Sequence, residues 1–233
     1  MPCAIPRVRR LAALPATLLA VLAAPLAVPA AIGTGDPLAL ASALQRKYDA
    51  VRDFSVDFVH TYEGGVLRKK ISESGHLLVK KPGRMRWTYT DPERKVFVSD
   101  GVKMYSYIPA DRQVYVANVP PQDQATTPAL FLTGKGNLLR DFEVSAAEAP
   151  ADAAAGAAAL RLVPRIKERD YDSLVLVVDR ESLDLRMLMS EDRQGGRSTF
   201  AFSHMKENIG VRDREFEFKI PRGVEVVTGA STE

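Results

Sequence analysis

The chain changes its hydrophobic period at Phe54. Before that point Leu40, Leu44 and Tyr48, with Ala43 and Val51 beside them, repeat at helical spacing. Asp36 and Pro37 stand ahead of this stripe as an N-cap and a first helical residue. From Phe54 onward, Phe54, Val56, Phe58, His60 and Tyr62 fall on one side of a strand. Alternation then recurs over Leu67–Val79, Arg84–Tyr89, Arg94–Ser99, Val102–Tyr107, Gln113–Asn118, Phe142–Ser145, Leu160–Val163, Ser173–Asp179, Leu183–Ser190, Arg197–Lys206 and Glu215–Ile220, with a last extended piece at Val224–Val227. Gly, Pro, Asp or Asn mark the boundaries, and Glu63-Gly64-Gly65 and Gly195-Gly196 read as hairpin turns. Helices do not alternate with these strands, so consecutive antiparallel pairing is predicted rather than a parallel sheet.

About eleven or twelve strands result, and an open sheet of that size curls, splits or closes. Pro128–Leu132 reads as a short apolar helix closed by Gly134 and Gly136, and Asn137–Arg140 as a second short turn. Both are too short to be stable alone and should lie over apolar surface. Ala146–Ala158 is Ala-rich and of low complexity, read as a surface insertion forming a loop or a frayed helix. One N-terminal helix and one short apolar segment cannot cover a whole face of such a sheet. Either the sheet packs on itself as a filled barrel, or it keeps a lined cavity.

The N-terminus shows Arg7, Arg9 and Arg10, an apolar run over Leu11–Val28 and small residues at Ala30 and Ala31. This is the pattern of a secretory signal peptide, expected to span residues 1–30 and to leave one domain over residues 31–233. The only Cys is Cys3, inside that leader, so no disulfide, thiol nucleophile or acylated cleavage-site Cys is expected in the remainder. Lys plus Arg exceed Asp plus Glu by three, and the three leader Arg account for that excess. A formally neutral remainder gives no basis for a nucleic-acid partner.

Catalytic signals are sparse. His60, His76 and His204 are dispersed over strands without metal-ligand spacing, and neither a Gly-x-Ser-x-Gly elbow nor a Gly-rich phosphate loop occurs. Neither catalytic residues, a metal nor a cofactor is expected. Apolar residues say more: Trp87 and Tyr89 share a strand face with Met85, Phe200 and Phe202 alternate on another strand, and Met104, Met187, Met189 and Met205 add adaptable side chains. Ordinary core and a wall for variable apolar ligands both fit that pattern.

The stretch Gly75–Gly101, GHLLVKKPGRMRWTYTDPERKVFVSDG, orders its parts as an apolar strand, a basic pair with Pro82, Arg-x-Trp-x-Tyr, Asp91-Pro92 and a strand ending at Ser99-Asp100-Gly101. In this it resembles the periplasmic outer-membrane lipoprotein carrier family, LolA. Phe54-x-x-x-Phe58 after the helix is similar to the family's start, Thr127-Pro128-Ala129-Leu130-Phe131-Leu132 to its lid helix, and Phe216-Glu217-Phe218 through Pro221 and Gly223 to its close. The resemblance implies a mainly β (α+β) fold: a half-open, strongly curved antiparallel β-barrel of about eleven strands, with an N-terminal helix and short lid helices over an apolar cavity. It implies a periplasmic monomer that shields the acyl chains of lipoproteins. Such a carrier takes them from an inner-membrane ATP-driven releasing complex and hands them to an outer-membrane receptor. Shielding is needed because an acyl chain of ten or more methylenes costs roughly 10 kcal/mol to expose to water, at ~0.8 kcal/mol per methylene.

On this resemblance the expected cavity and lid residues are Leu44, Tyr48, Phe58, Leu77, Val79, Met85, Trp87, Leu130 and Phe131. Lys81 stands where the family carries an Arg that bonds lid backbone, and a Lys offers a rotatable point charge in place of a planar fork. His60 replaces a common Gln, and Met85 a common Phe. A regulatory module of the same fold that senses lipids or lipoproteins, expected to carry a further C-terminal domain, is the alternative. A hydrolase acting on lipid or glycan is a third reading.

Overall fold

The computed structural model describes residues 36–64, 69–119, 136–168, 171–192 and 195–228. The expected leader, the segment Pro128–Leu132 expected to be helical, with Leu130 and Phe131, and residues 65–68 lie outside the described residues. Helix α1 (Pro37–Ala50) starts as the sequence predicts, the Asp36 carboxylate accepting the Leu38 N–H at 2.9 Å. Its apolar stripe, Ala41, Leu44 and Tyr48, is fully buried. The second helix, α2 (Leu138–Asp141), is capped by the Asn137 side chain, which accepts from the Leu139 and Arg140 amides.

Twelve strands form one sheet: β1 (Asp53–Gly64), β2 (Lys69–Lys80), β3 (Arg84–Asp91), β4 (Lys95–Asp100), β5 (Lys103–Ile108), β6 (Gln113–Asn118), β7 (Phe142–Ala147), β8 (Ala157–Pro164), β9 (Ser173–Asp179), β10 (Leu185–Glu191), β11 (Arg197–Glu207) and β12 (Glu225–Thr228). Their order is β12-β6-β5-β4-β3-β2-β1-β11-β10-β9-β8-β7, a curved sheet that does not close. Every pairing is antiparallel except β12 with β6, which is parallel. The expected curved, mainly antiparallel architecture is thus found.

Three boundaries differ from expectation, each for a physical reason. β1 runs on through Glu63 and Gly64, which pair with Lys70 and Lys69, so both belong to the strand. The ends of the Ala-rich segment are strand, because Ala146 and Ala147 pair with Leu160 and Ala159 while Ala158 is buried against the core. A surface loop remains only between Ala147 and Ala157. Glu215–Ile220 is not a strand at all: Asp213–Phe216 is a 3-10 turn and the chain then runs outside the sheet. After β11, at the middle of the sheet, the chain must reach the far edge beside β6, so it crosses the outer face as a strap. Phe216 is buried there, Phe218 sits 5.4 Å from Tyr105 and 5.8 Å from Tyr107, and the Arg86 guanidinium donates to the Glu215 carbonyl. The alternation of Phe216 and Phe218 is real, but the strap gains ring contacts instead of ladder hydrogen bonds.

Helix α1 covers only part of the inner face. Its side-chain anchors reach the β10–β11 side of the sheet: the Tyr48 hydroxyl accepts from the Leu185 amide at 3.0 Å, and Lys47 pairs with Asp184 and Glu207. Burial alone would depress the Lys47 ammonium, yet those two carboxylates hold it above its ordinary value. Gln45 accepts the Leu138 amide and so ties α1 to α2. The core beneath holds Phe54, Val56, Phe58, Leu77, Val79, Leu160, Leu162, Leu174, Leu176, Leu188 and Phe202.

Candidate functional site

Strand pairing carries continuous rows of side chains from that core out along the inner face. Phe54, Val79, Met85, Ser99, Met104 and Ala117 form one row, and Val56, Leu77, Trp87, Phe97, Ser106 and Tyr115 the next. The first two members of each row are buried under α1. Their neighbours on β3 to β6 instead line an open cavity of about 450 Å³, within the usual size of a small-molecule site. Its wall consists of Met85, Trp87, Tyr89, Phe97, Met104, Tyr115 and Phe200, with Val98, Ser99, Tyr105, Ser106, Val116 and Ala117 between them.

The wall is held rigid by aromatic packing. Phe58 meets Trp87 edge-on at 5.0 Å and Tyr89 at 4.8 Å, while Phe200 lies 5.2 Å from Trp87. Gly75 makes room for this cluster: a Cβ there would stand 2.2 Å from the Thr88 carbonyl oxygen and 2.7 Å from Phe58 Cζ.

A third row, Phe58, Gly75, Tyr89 and Lys95, ends the apolar surface, and beyond it His60 pairs with Glu73. Glu73 binds the Lys95 ammonium at 2.5 Å, and the His60 ring stacks on Phe200 at 4.2 Å while its Nε2 meets Ser198 Oγ at 2.8 Å. Burial holds the His60 imidazole below its ordinary value, against the opposing pull of Glu73.

Of the residues expected from sequence, Met85 and Trp87 line the cavity. Leu44, Tyr48, Phe58, Leu77 and Val79 are fully buried in the core that continues it. Leu130 and Phe131 lie outside the described residues. Lys81 is half-buried, its ammonium donates to the Tyr48 carbonyl in the last turn of α1, and burial lowers its proton affinity. Tyr89, Met104 and Phe200, part of the apolar pattern that fits either core or wall, complete the wall together with Phe97 and Tyr115, which that pattern does not contain. The direct pairings Trp87 with Phe97 and Met85 with Met104 through Ser99 were the signal for two of them.

The histidines are less scattered in space than in sequence. His76 and His204 bond the two carboxylate oxygens of Asp57 at 2.7 and 3.0 Å, and these contacts hold the Asp57 carboxyl below its usual range. Among the described residues, no group of three or more His, Cys, Asp or Glu is placed to hold a metal ion. No helix among them is long and apolar enough to cross a membrane.

Residues 49–219 match the family model of the outer membrane lipoprotein carrier protein LolA. An outer-membrane lipoprotein carrier protein of Chromohalobacter salexigens is 32% identical over 89% of this chain and 93% of its own length. One from Pseudomonas syringae pv. syringae is 28% identical over 86% of this chain and 91% of its own. Among solved structures, an uncharacterized conserved protein from Thermus thermophilus shares the fold, with a TM-score of 0.51 at 10% identity, covering 83% of this chain and all of that one. The family match and this near full-length kinship establish that the chain belongs to the LolA family of outer-membrane lipoprotein carriers, a family of carriers and not of enzymes.

Proposed function

We propose that residues 31–233 form a periplasmic carrier domain, exported by the leader at residues 1–30, which shields lipoprotein acyl chains in its inner-face cavity. It receives them from an inner-membrane ATP-driven releasing complex and delivers them, as a monomer, to an outer-membrane receptor. The observation that carries this reading is the wall of Met85, Trp87, Phe97, Met104 and Phe200, left uncovered by α1 on a sheet that otherwise buries its inner face. Exposed apolar surface of this kind is costly in water and marks a binding site. Aromatic and Met side chains offer contact without the fixed hydrogen-bond pattern that would bind one ligand irreversibly.

Leu44, Tyr48, Phe58, Leu77 and Val79 act as the floor on which the wall rests, and Leu130 and Phe131 as the cover. Lys81 serves lid closure by holding the end of α1 through the Tyr48 carbonyl. The protein purified from the periplasm after detergent-free lysis should carry acylated lipoprotein, seen by intact-mass spectrometry. Recovery with delipidated peptides alone, or with nothing, would sink the proposal.

A further inference from the structure

The cavity changes chemistry at one end. Ser99 donates its hydroxyl to the Gly83 carbonyl, the Tyr115 hydroxyl donates to Gln113, and Ser106 lies between Phe97 and Tyr115 in its row. Hydrogen-bond donors gather instead at the Tyr89 end, beyond the last apolar row. We propose that the Tyr89 hydroxyl and the Lys95 ammonium form a subsite for the neutral ester or amide carbonyl at which an acyl chain joins its head. The chain then runs toward Met85 and Met104 and the head lies at Lys95. The proposal rests on the carrier reading of the cavity.

Tyr89 is only 7% exposed and lines the cavity, yet its hydroxyl makes no hydrogen bond among the described residues. The hydroxyl is not one of the fully buried unpaired atoms among the described residues, so it opens on the cavity as an accessible donor that a ligand can use. Burial raises its proton affinity, which keeps it a neutral donor. Lys95 has three N–H groups, and Glu73 is the one hydrogen-bond partner it has among the described residues. Its ammonium stands 6.0 Å from the Tyr89 ring centre, and the two residues are direct partners across β3 and β4. Charge decides the ligand class. Glu73 already neutralises Lys95 and burial keeps His60 uncharged, so the cluster has no surplus positive charge to hold a free carboxylate. A carbonyl oxygen, which needs donors and brings no charge, fits. Ester and amide carbonyls occur both at the lipidated end of a lipoprotein and in a glycerophospholipid, and the test separates the two.

The experiment is competitive displacement of an apolar dye from the purified protein by four probes of equal chain length. They are a lipopeptide with an ester-linked diacylglyceryl cysteine, its dialkyl-ether counterpart, an ester-linked phosphatidylcholine and its ether counterpart. Wild type is expected to prefer ester over ether by about 3- to 10-fold, the worth of one net hydrogen bond. Tyr89→Phe and Lys95→Met should each bring that ester-to-ether ratio toward one. Whichever ester wild type binds more tightly identifies the source of the carbonyl. Tight binding with equal ester and ether affinities in wild type, or an unchanged ratio in Tyr89→Phe, overturns the subsite and leaves the cavity standing. Displacement by none of the four probes overturns the subsite together with the carrier reading.

Discussion

His60 stands at the seam between apolar wall and polar end, and its surroundings fix the sign of its response to pH. Glu73 from β2 lies 3.5 Å from its Nδ1, Lys95 of β4 stands behind Glu73, Tyr89 of β3 approaches edge-on at 6.4 Å, and Ser198 and Phe200 flank it from β11. Burial depresses the imidazole, so the folded state takes up its proton at lower pH than the unfolded chain, whose value is near 6.5. Stability from this group is therefore complete above about pH 6.5 and is lost as pH falls through the folded value. The melting temperature of wild type should drop more between about pH 7.5 and about pH 5.5 than that of His60→Gln, with carboxylate effects common to both. Equal slopes for the two proteins would show that His60 does not titrate in this way. Sequence revealed that His60 lies on the strand face with Phe58. It did not reveal the stack on Phe200, because β1 and β11 meet only after more than a hundred intervening residues.

At the scale of elements, α1 is a cover whose last turn is held from β9–β11 by Lys47 and Tyr48 and from the end of β2 by the Lys81 ammonium. Lys81 follows β2 directly and reaches back to the Tyr48 carbonyl, one of the helix-terminal acceptors that no amide of the same helix satisfies. Lys81→Met should speed amide hydrogen exchange in the last turn of α1 by about 3- to 10-fold while leaving β8 and β9 unaffected, and Lys81→Arg should restore much of the protection. Uniform exchange in all three proteins would remove Lys81 from any role in holding the cover. The elements themselves were largely legible: α1 with its Asp36 cap and the ladder from β1 to β6 follow from period and turn residues, to within a residue or two. Period two, however, reports which face a residue takes and not what covers that face. Leu77 and Trp87 are direct cross-strand partners on the same face, one sealed under the core and the other opening on the cavity. The strap was missed for a related reason, since Phe216 and Phe218 alternate whether their backbone joins a ladder or merely crosses one.

For the whole molecule, the cavity contains its own reporter. Trp87 is the only Trp in the chain and lines the wall, so filling the cavity with alkyl chains should shift its emission to shorter wavelength as water leaves the indole. Saturable binding of an acylated ligand with no change in Trp87 emission would place the ligand elsewhere. The two halves of the sheet are also built differently. Among the described residues, the inner face from β7 to β11 is closed by α1 and α2, whereas from β3 to β6 it is open and backed by the strap. In a closed barrel the number of strands and their stagger set the radius once and for all. Here β12 and β7 end the sheet without meeting, so no ring condition fixes how far the open wall stands from the helix-covered one. On the carrier function proposed above, capacity follows from how tightly the strands coil, and cargo of unequal girth is accommodated by relaxing that curl without breaking a ladder.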